Sequence, residues 1–287
     1  MTEFIRKLRI LFEDIKIQHT VFALPFAVMS AFLAAEGLPE WNLLIWIFVA
    51  MFGARNSAMA FNRLVDARFD KMNPRTRDRA LASGKIDKNF YVLFLIGSSG
   101  IFIFASGMLN KLALMLSPLA LVIVFVYSLT KRFTSYSHLY LGFALSVAPV
   151  GAWVAVREEI SFISLLLGTA VVFWLTGFDI IYACLDIESD RKNHLHSIPQ
   201  KFGVRQSLRF AVLAHICMVL FLLTLLISPM LGVLYFIGVV LVAGLLWYEH
   251  SLVRENDLSK VNIAFFNVNG VISILLMVFV IVDCLWV

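Results

Sequence analysis

Residues 41–70 read WNLLIWIFVAMFGARNSAMAFNRLVDARFD, and the two ends of that stretch decide what kind of fold the chain has. From Trp41 to Asn62 it is apolar over about the 20 residues that a helix needs to cross the hydrocarbon core of a bilayer. A membrane barrel strand would be about half as long and would alternate in polarity. The remainder is charged, which marks where the chain leaves the membrane. Eight further apolar stretches of similar length flank it, at 18–36, 90–108, 111–129, 138–156, 162–182, 207–227, 230–248 and 263–286. With 61% hydrophobic and 15% charged residues, the composition excludes an ordinary soluble domain. The expectation is an all-α integral membrane protein with nine transmembrane helices bundled around a central cavity.

With nine spans, the N-terminal segment and the loops after the second, fourth, sixth and eighth helices share one side. That side carries 21 of the 24 lysines and arginines, eight of them between 63 and 89 and five between 191 and 209. Lys111 and Arg157 fall on the other side, and Arg55 lies within the second span. Basic residues accumulate on the cytoplasmic side, so the N-terminus and these loops are expected in the cytoplasm, beneath a bacterial-type inner membrane. The same rule accounts for the net charge of +5 without invoking nucleic acid. The N-terminus (Arg6, Lys7, Arg9, Glu13, Asp14, Lys16) reads as a charged amphipathic segment and not as a cleavable signal. Cys184, Cys217 and Cys284 lack disulfide or zinc-like spacing. They are read as packing residues, and His19, His138, His215 and His250, which share no motif, as packing or interfacial residues. No Pro/Ser-rich linker divides the chain, so 1–287 is taken as one domain. Its two long cytoplasmic connections, about 63–89 and 183–206, are expected to be functional, because loops of that length in a compact domain usually are.

Arg55, Asn62, Asp66 and Asp70 fall within a sector of roughly 80° when wound at about 100° per residue, so they share one helical face. Asp179, Tyr182, Asp186 and Asp190 form a second stripe, and both emerge on the cytoplasmic side. Aspartates at helix ends are often only solvated or paired with a nearby base. Two such stripes on one membrane face are harder to explain that way, and a charge within a span costs about 2.5–3.5 kcal/mol, which makes Arg55 and Asp179 functional candidates. Converging carboxylates repel one another unless a cation sits between them. Oxygen ligands suit Mg²⁺, which is held by one or two carboxylates together with substrate phosphate oxygens. Arg75, Arg79 and Lys131 are bases placed to take the other phosphate oxygens, arginine in bidentate fashion.

On these residues the sequence resembles the UbiA superfamily of intramembrane aromatic prenyltransferases, the 4-hydroxybenzoate polyprenyltransferases among them. Asn62, Asp66 and Asp70 match its Asn-x-x-x-Asp-x-x-x-Asp signature, and Asp179, Tyr182, Asp186 and Asp190 match Asp-x-x-Tyr-x-x-x-Asp-x-x-x-Asp. Asn73, Arg75, Thr76, Arg79, Ser83 and Gly84 fit the loop after the first signature, Tyr127, Lys131 and Arg132 the end of the fourth helix, and Ser197, Phe202 and Gly203 the segment after the second signature. The resemblance implies Mg²⁺ held by Asn62, Asp66, Asp70, Asp186 and Asp190, with Asp179 and Tyr182 also catalytic. It implies a diphosphate gripped by Arg75, Arg79, Lys131, Tyr127 and Ser197, and an acceptor oriented by Arg55. Ionisation of a polyprenyl diphosphate would give an allylic cation, stabilised over aromatic faces such as Tyr127, Tyr182, Phe61 and Phe178. An electron-rich aromatic acid, 4-hydroxybenzoate first among the candidates, would then attack it.

Three departures bear on the acceptor: His196 stands where many relatives have lysine, Ala80 where proline is common, and Arg63 where aspartate follows the asparagine. They keep a carboxylated dihydroxynaphthalene of menaquinone synthesis open as the acceptor. A secondary transporter is the alternative of another class, but its charges should gather at mid-membrane beside broken helices. Membrane lipid and the two substrates are the expected partners, with neither nucleic acid nor an obligate protein.

Overall fold

The computed structural model describes residues 3–15 and 20–286; Lys16 and His19, each read above, lie outside them. Helix α1 (Glu3–Asp14) is amphipathic, with Arg6 and Arg9 exposed and Leu11 buried beside Ala60 and Tyr91. After α2 (Thr20–Ala35) comes α3 (Trp41–Met72), then α4 (Lys88–Leu109), α5 (Lys111–Thr130), α6 (Ser137–Arg157) and α7 (Phe162–Ala183). A 3₁₀ turn (Cys184–Asp186) leads into the short α8 (Ile187–Lys192). The chain ends with α9 (Ile198–Thr224), α10 (Val233–Leu252), a π-helical turn (Ile263–Val268) and α11 (Asn269–Trp286). Eight of the described helices are long and apolar enough to cross a membrane. The remaining expected span falls on α2, whose described apolar part, Phe22–Ala35, is shorter.

Three helix ends differ from expectation, each for a local reason. α3 runs ten residues past the expected exit at Asn62 and, at 32 residues and about 1.5 Å each, outreaches the hydrocarbon core. It stops where Asn73 precedes Pro74, a proline that drives the residue before it into the extended region, φ −94° and ψ 119°. The first acidic row therefore rides on continuous helix. The second row is interrupted by the 3₁₀ turn at 184–186, so its stripe is not one helical face throughout. α9 starts ahead of its expected span at 207 and kinks at Gly203, whose φ of 75° is readily open only to glycine.

α7 is central, packing against both α6 and α9, while α3 packs along α4 and α2 lies between α6 and α11. Trp174 of α7 is fully buried, its ring centroid 4.8 Å from that of Phe26 and its indole N–H donated to Oδ1 of Asn269 at 2.6 Å. Two glycines set the close approaches. A Cβ on Gly53 would lie 2.7 Å from the backbone nitrogen of Phe102 in α4, and one on Gly142 would lie 2.3 Å from the carbonyl oxygen of Val172 in α7. Such small residues let membrane helices pack backbone to backbone. Elsewhere α4 and α5 expose Leu93, Ile96, Phe104, Met115 and Leu119, side chains suited to lipid. Between α3, α5, α6 and α7 an apolar space remains, with the charged ends of α3, α5 and α7 at its mouth.

Candidate active site

The first acidic row is built on the last turns of α3. Asn62 donates from Nδ2 to Oδ2 of Asp66 at 2.7 Å, and the other oxygen of Asp66 accepts from Nη2 of Arg132 at 3.3 Å. One turn on, Asp70 is buried and accepts from Nη1 of Arg79 at 2.7 Å. Arg79 is delivered by the turn that Asn73 begins, where its Oδ1 accepts the backbone N–H of Arg75.

The second row faces it. Arg75 crosses over to Asp186 as a two-pronged pair, Nε to Oδ1 at 3.0 Å and Nη2 to Oδ2 at 2.5 Å, and its Nη1 donates to the Tyr182 hydroxyl at 3.0 Å. Burial works against the charge on Arg75, but the contact with Asp186 outweighs it and holds the guanidinium pKa above its ordinary value. Lys131, just past the end of α5, reaches Asp190 at 3.5 Å. Burial disfavours its charge as well, yet Asp190, Asp186 and Asp179 together raise its pKa. The repulsion expected among the aspartates is thus met by an interleaved set of bases.

Both rows open on one cavity of about 760 Å³, within the range of small-molecule sites. All the expected site residues line it except Ser197. Ser197 is fully buried outside this lining, and its hydroxyl accepts the backbone N–H of Gln200 to cap α9. Phe61 stacks on Phe125 with ring centroids 4.7 Å apart and does not line the cavity, whereas Phe178 does. His196 is exposed and docks the loop by donating its backbone N–H to the Lys131 carbonyl at 2.7 Å. Arg55 lines the cavity deeper along α3, where its Nη2 donates to the Ile15 carbonyl at 3.2 Å.

Three groups escaped the sequence reading. His138, expected only to pack or to sit at an interface, lies 2.6 Å by Nδ1 from Oδ2 of Asp179, while its Nε2 accepts the backbone N–H of Ile198. With Nε2 an acceptor, Nδ1 is the ring donor, and it fixes the Asp179 carboxylate. Phe265 and Phe266, from the π-helical turn, complete the apolar wall, and the Phe265 ring centroid is 4.2 Å from that of Tyr182. Asp14 accepts from Nε of Arg63, the Tyr91 hydroxyl and the Ala80 backbone N–H, tying the end of α1 to α3, α4 and the loop between them. No repeated spacing announced any of them, since each partner comes from a different helix.

Among the described residues, no three acidic, histidine or cysteine side chains gather closely enough to hold a metal alone. Two facing pairs of carboxylates with oxygen donors only are the set that suits Mg²⁺ when phosphate oxygens complete its shell. The charged mouth and long apolar interior fit an amphiphile with an anionic head.

Comparison with known proteins agrees with this geometry. The profile of the UbiA prenyltransferase family matches residues 23–271. A 4-hydroxybenzoate octaprenyltransferase of Vibrio campbellii is 31% identical over 251 residues, covering 85% of this chain and 86% of the relative. One of Marinobacter nauticus is 32% identical over 84% of this chain and 82% of its own length. A UbiA homologue from Aeropyrum pernix superposes with a TM-score of 0.85 at 31% identity, over 94% of this chain and 99% of that one. A UbiA homologue from Archaeoglobus fulgidus, solved with DMAPP and Mg²⁺, has a TM-score of 0.72 at 18% identity, over 97% of this chain and 98% of that one.

Proposed function

The chain belongs to the UbiA prenyltransferase family, and from that membership we propose that it transfers a polyprenyl group from its diphosphate to an aromatic acid, 4-hydroxybenzoate foremost. The observation that carries the proposal is the single cavity on which both acidic rows open, charged at one end and apolar along the rest. Asp66 and Asp70 on one wall and Asp186 and Asp190 on the other would hold Mg²⁺. When bound there, the metal supplies Lewis-acid neutralisation of the leaving pyrophosphate.

The remaining work falls to side chains. Arg75, Arg79 and Lys131 would grip phosphate oxygens, giving up carboxylate partners for them. Tyr127, Tyr182, Phe178 and Phe265 offer ring faces to positive charge on the allylic carbons. Arg55, further in, would pair with the acceptor carboxylate and hold its ring toward that carbon. The apolar wall keeps water from the cation. The relatives' names point to 4-hydroxybenzoate.

We read the chain as one domain in a bacterial-type inner membrane, with nine spans, the N-terminus and the acidic rows facing the cytoplasm. Purified protein given geranyl diphosphate, Mg²⁺ and a panel containing 4-hydroxybenzoate and dihydroxynaphthoic acids should yield a prenylated acid by mass spectrometry. Asp66→Ala and Asp190→Ala should yield none while remaining folded. Absence of any prenylated product from the unaltered protein, with solute transport by its proteoliposomes instead, would reject the enzyme reading.

A further inference from the structure

The loop between α3 and α4 carries Arg75 and Arg79, and α1 holds it at three points. Near the start of α1, Nζ of Lys7 donates to Oδ2 of Asp87 at 3.0 Å. Along its buried side, Leu11 and then Ile15 join one apolar cluster with Ala80 and Ile86 of the loop, Ala60 of α3 and Tyr91 of α4. At its end, Oδ1 of Asp14 accepts the backbone N–H of Ala80 at 2.7 Å.

The Asp14 carboxylate is anchored in turn. Its Oδ2 accepts from Nε of Arg63 at 3.0 Å and from the Tyr91 hydroxyl at 2.7 Å, and the Asp14 carbonyl accepts from Nη2 of Arg63 at 3.1 Å. The Arg63 and Asp14 side chains are only 4% and 7% exposed, so water cannot stand in for either partner. Two of these contacts fall where the chain departs from its relatives, with Arg63 in place of an aspartate and Ala80 in place of a proline. Aspartate at 63 would set a like charge against Asp14, and proline at 80 would have no N–H to donate. The two departures thus form one unit centred on Asp14. Ala80 directly follows Arg79, whose Nη1 meets Asp70 at 2.7 Å, and Thr76 of the same loop donates to the Asp70 carbonyl at 3.2 Å. The loop is therefore fixed to α3 on one side of Arg79 and to α1 on the other. Neither Asp14 nor Ala80 lines the cavity, so Asp14 acts on the site only through the residues it holds.

We propose that Asp14 is a positioning residue for the diphosphate: by clamping this loop onto α1 it sets where Arg75 and Arg79 stand. Affinity for the anionic head of the donor then depends on α1, while affinity for the acceptor, oriented deeper in the cavity, does not. This rests on the reading of Arg75 and Arg79 as phosphate-gripping residues.

Two substitutions break the clamp from opposite sides. A carboxylate accepts through two oxygens and an amide through one, so Asp14→Asn must give up either Ala80 or the pair of Arg63 and Tyr91. Ala80→Pro removes the N–H and leaves the cavity wall as it is. On the whole protein in detergent, the measurements are calorimetric binding of geranyl S-thiolodiphosphate with Mg²⁺, trypsin cleavage at the exposed Arg77, thermal unfolding, and KM for 4-hydroxybenzoate at saturating geranyl diphosphate. Each variant should bind the analogue about tenfold more weakly, with KM for the acid within about twofold of the unaltered protein. Each should also be cut faster at Arg77, because a released loop opens locally. In the double variant the two losses should not add, since both release the same loop. If Asp14→Asn does not fold, Ala80→Pro decides the matter. Undiminished analogue affinity or unchanged cleavage in a folded variant overturns the proposal, as does an equal loss for analogue and acid, which would mark a general loosening. Failure of the unaltered protein to bind the analogue would instead remove the diphosphate reading, and the proposal with it.

Discussion

Lys131 shows how the charged mouth is balanced. Burial disfavours its charge, yet Asp190, Asp186 and Asp179 beside it hold its pKa above the ordinary lysine value of 10.5. For a cation with a raised pKa, the interaction is fully present below the ordinary value and is lost only as pH climbs through the raised one. Lys131→Met should therefore lower turnover by the same factor at every pH between about 6 and 9, well below where lysine titrates. Rate measurements across that range check it, and a defect that faded toward alkaline pH would mean the native lysine had already lost its proton. At this scale the sequence was informative about charge and poor about partnership. The four-residue spacing of Asn62, Asp66 and Asp70 survives folding because a helix preserves it. The Asp14–Arg63 contact joins residues 49 apart, and His138–Asp179 joins residues 41 apart. Such pairs depend on how separate helices cross, which no local pattern records. Ser197 illustrates the converse, a motif position that caps a helix and lies outside the lining of the cavity.

At the scale of helices, positions without side chains matter as much as those with them. Gly142 brings α6 onto the backbone of α7, the helix that carries Asp179 and Tyr182. Gly142→Ala forces a methyl into Val172 and should destabilise the protein by about 1–3 kcal/mol, the ordinary cost of overpacking. Thermal unfolding in detergent measures this, and an unchanged midpoint would show that α6 and α7 are free to separate. Apolar length placed the helices well, because lipid demands about 20 residues wherever the chain crosses. It was blind where helices continue in water. α3 runs to Met72 and α9 begins at Ile198, outside their apolar stretches, and the π-helical turn that delivers Phe265 and Phe266 has no hydropathy signature. The extension of α3 is what keeps Asp66 and Asp70 rigid at the mouth of the cavity instead of on a loose loop.

For the whole molecule, the uneven distribution of lysine and arginine carries the orientation, and both acidic rows follow from it. Arg77 in the connection after α3 and Glu158 after α6 are both exposed and lie on opposite sides in this scheme. With a single cysteine placed at either position, an impermeant maleimide added to intact spheroplasts should label Glu158→Cys and spare Arg77→Cys until the membrane is opened; the reverse pattern would invert the topology. In the proposed orientation the charged mouth of the cavity would face the cytoplasm, where a soluble acid arrives, and its apolar length would lie within the membrane. The central claim is that Asp66 and Asp70 on one wall and Asp186 and Asp190 on the other share divalent ions with one diphosphate. Anomalous diffraction from crystals grown with Mn²⁺ and geranyl S-thiolodiphosphate tests it most directly. Manganese peaks lying between the two walls, with the diphosphate bridging them, are the predicted result; metal confined to one row, or diphosphate bound away from both, would contradict it.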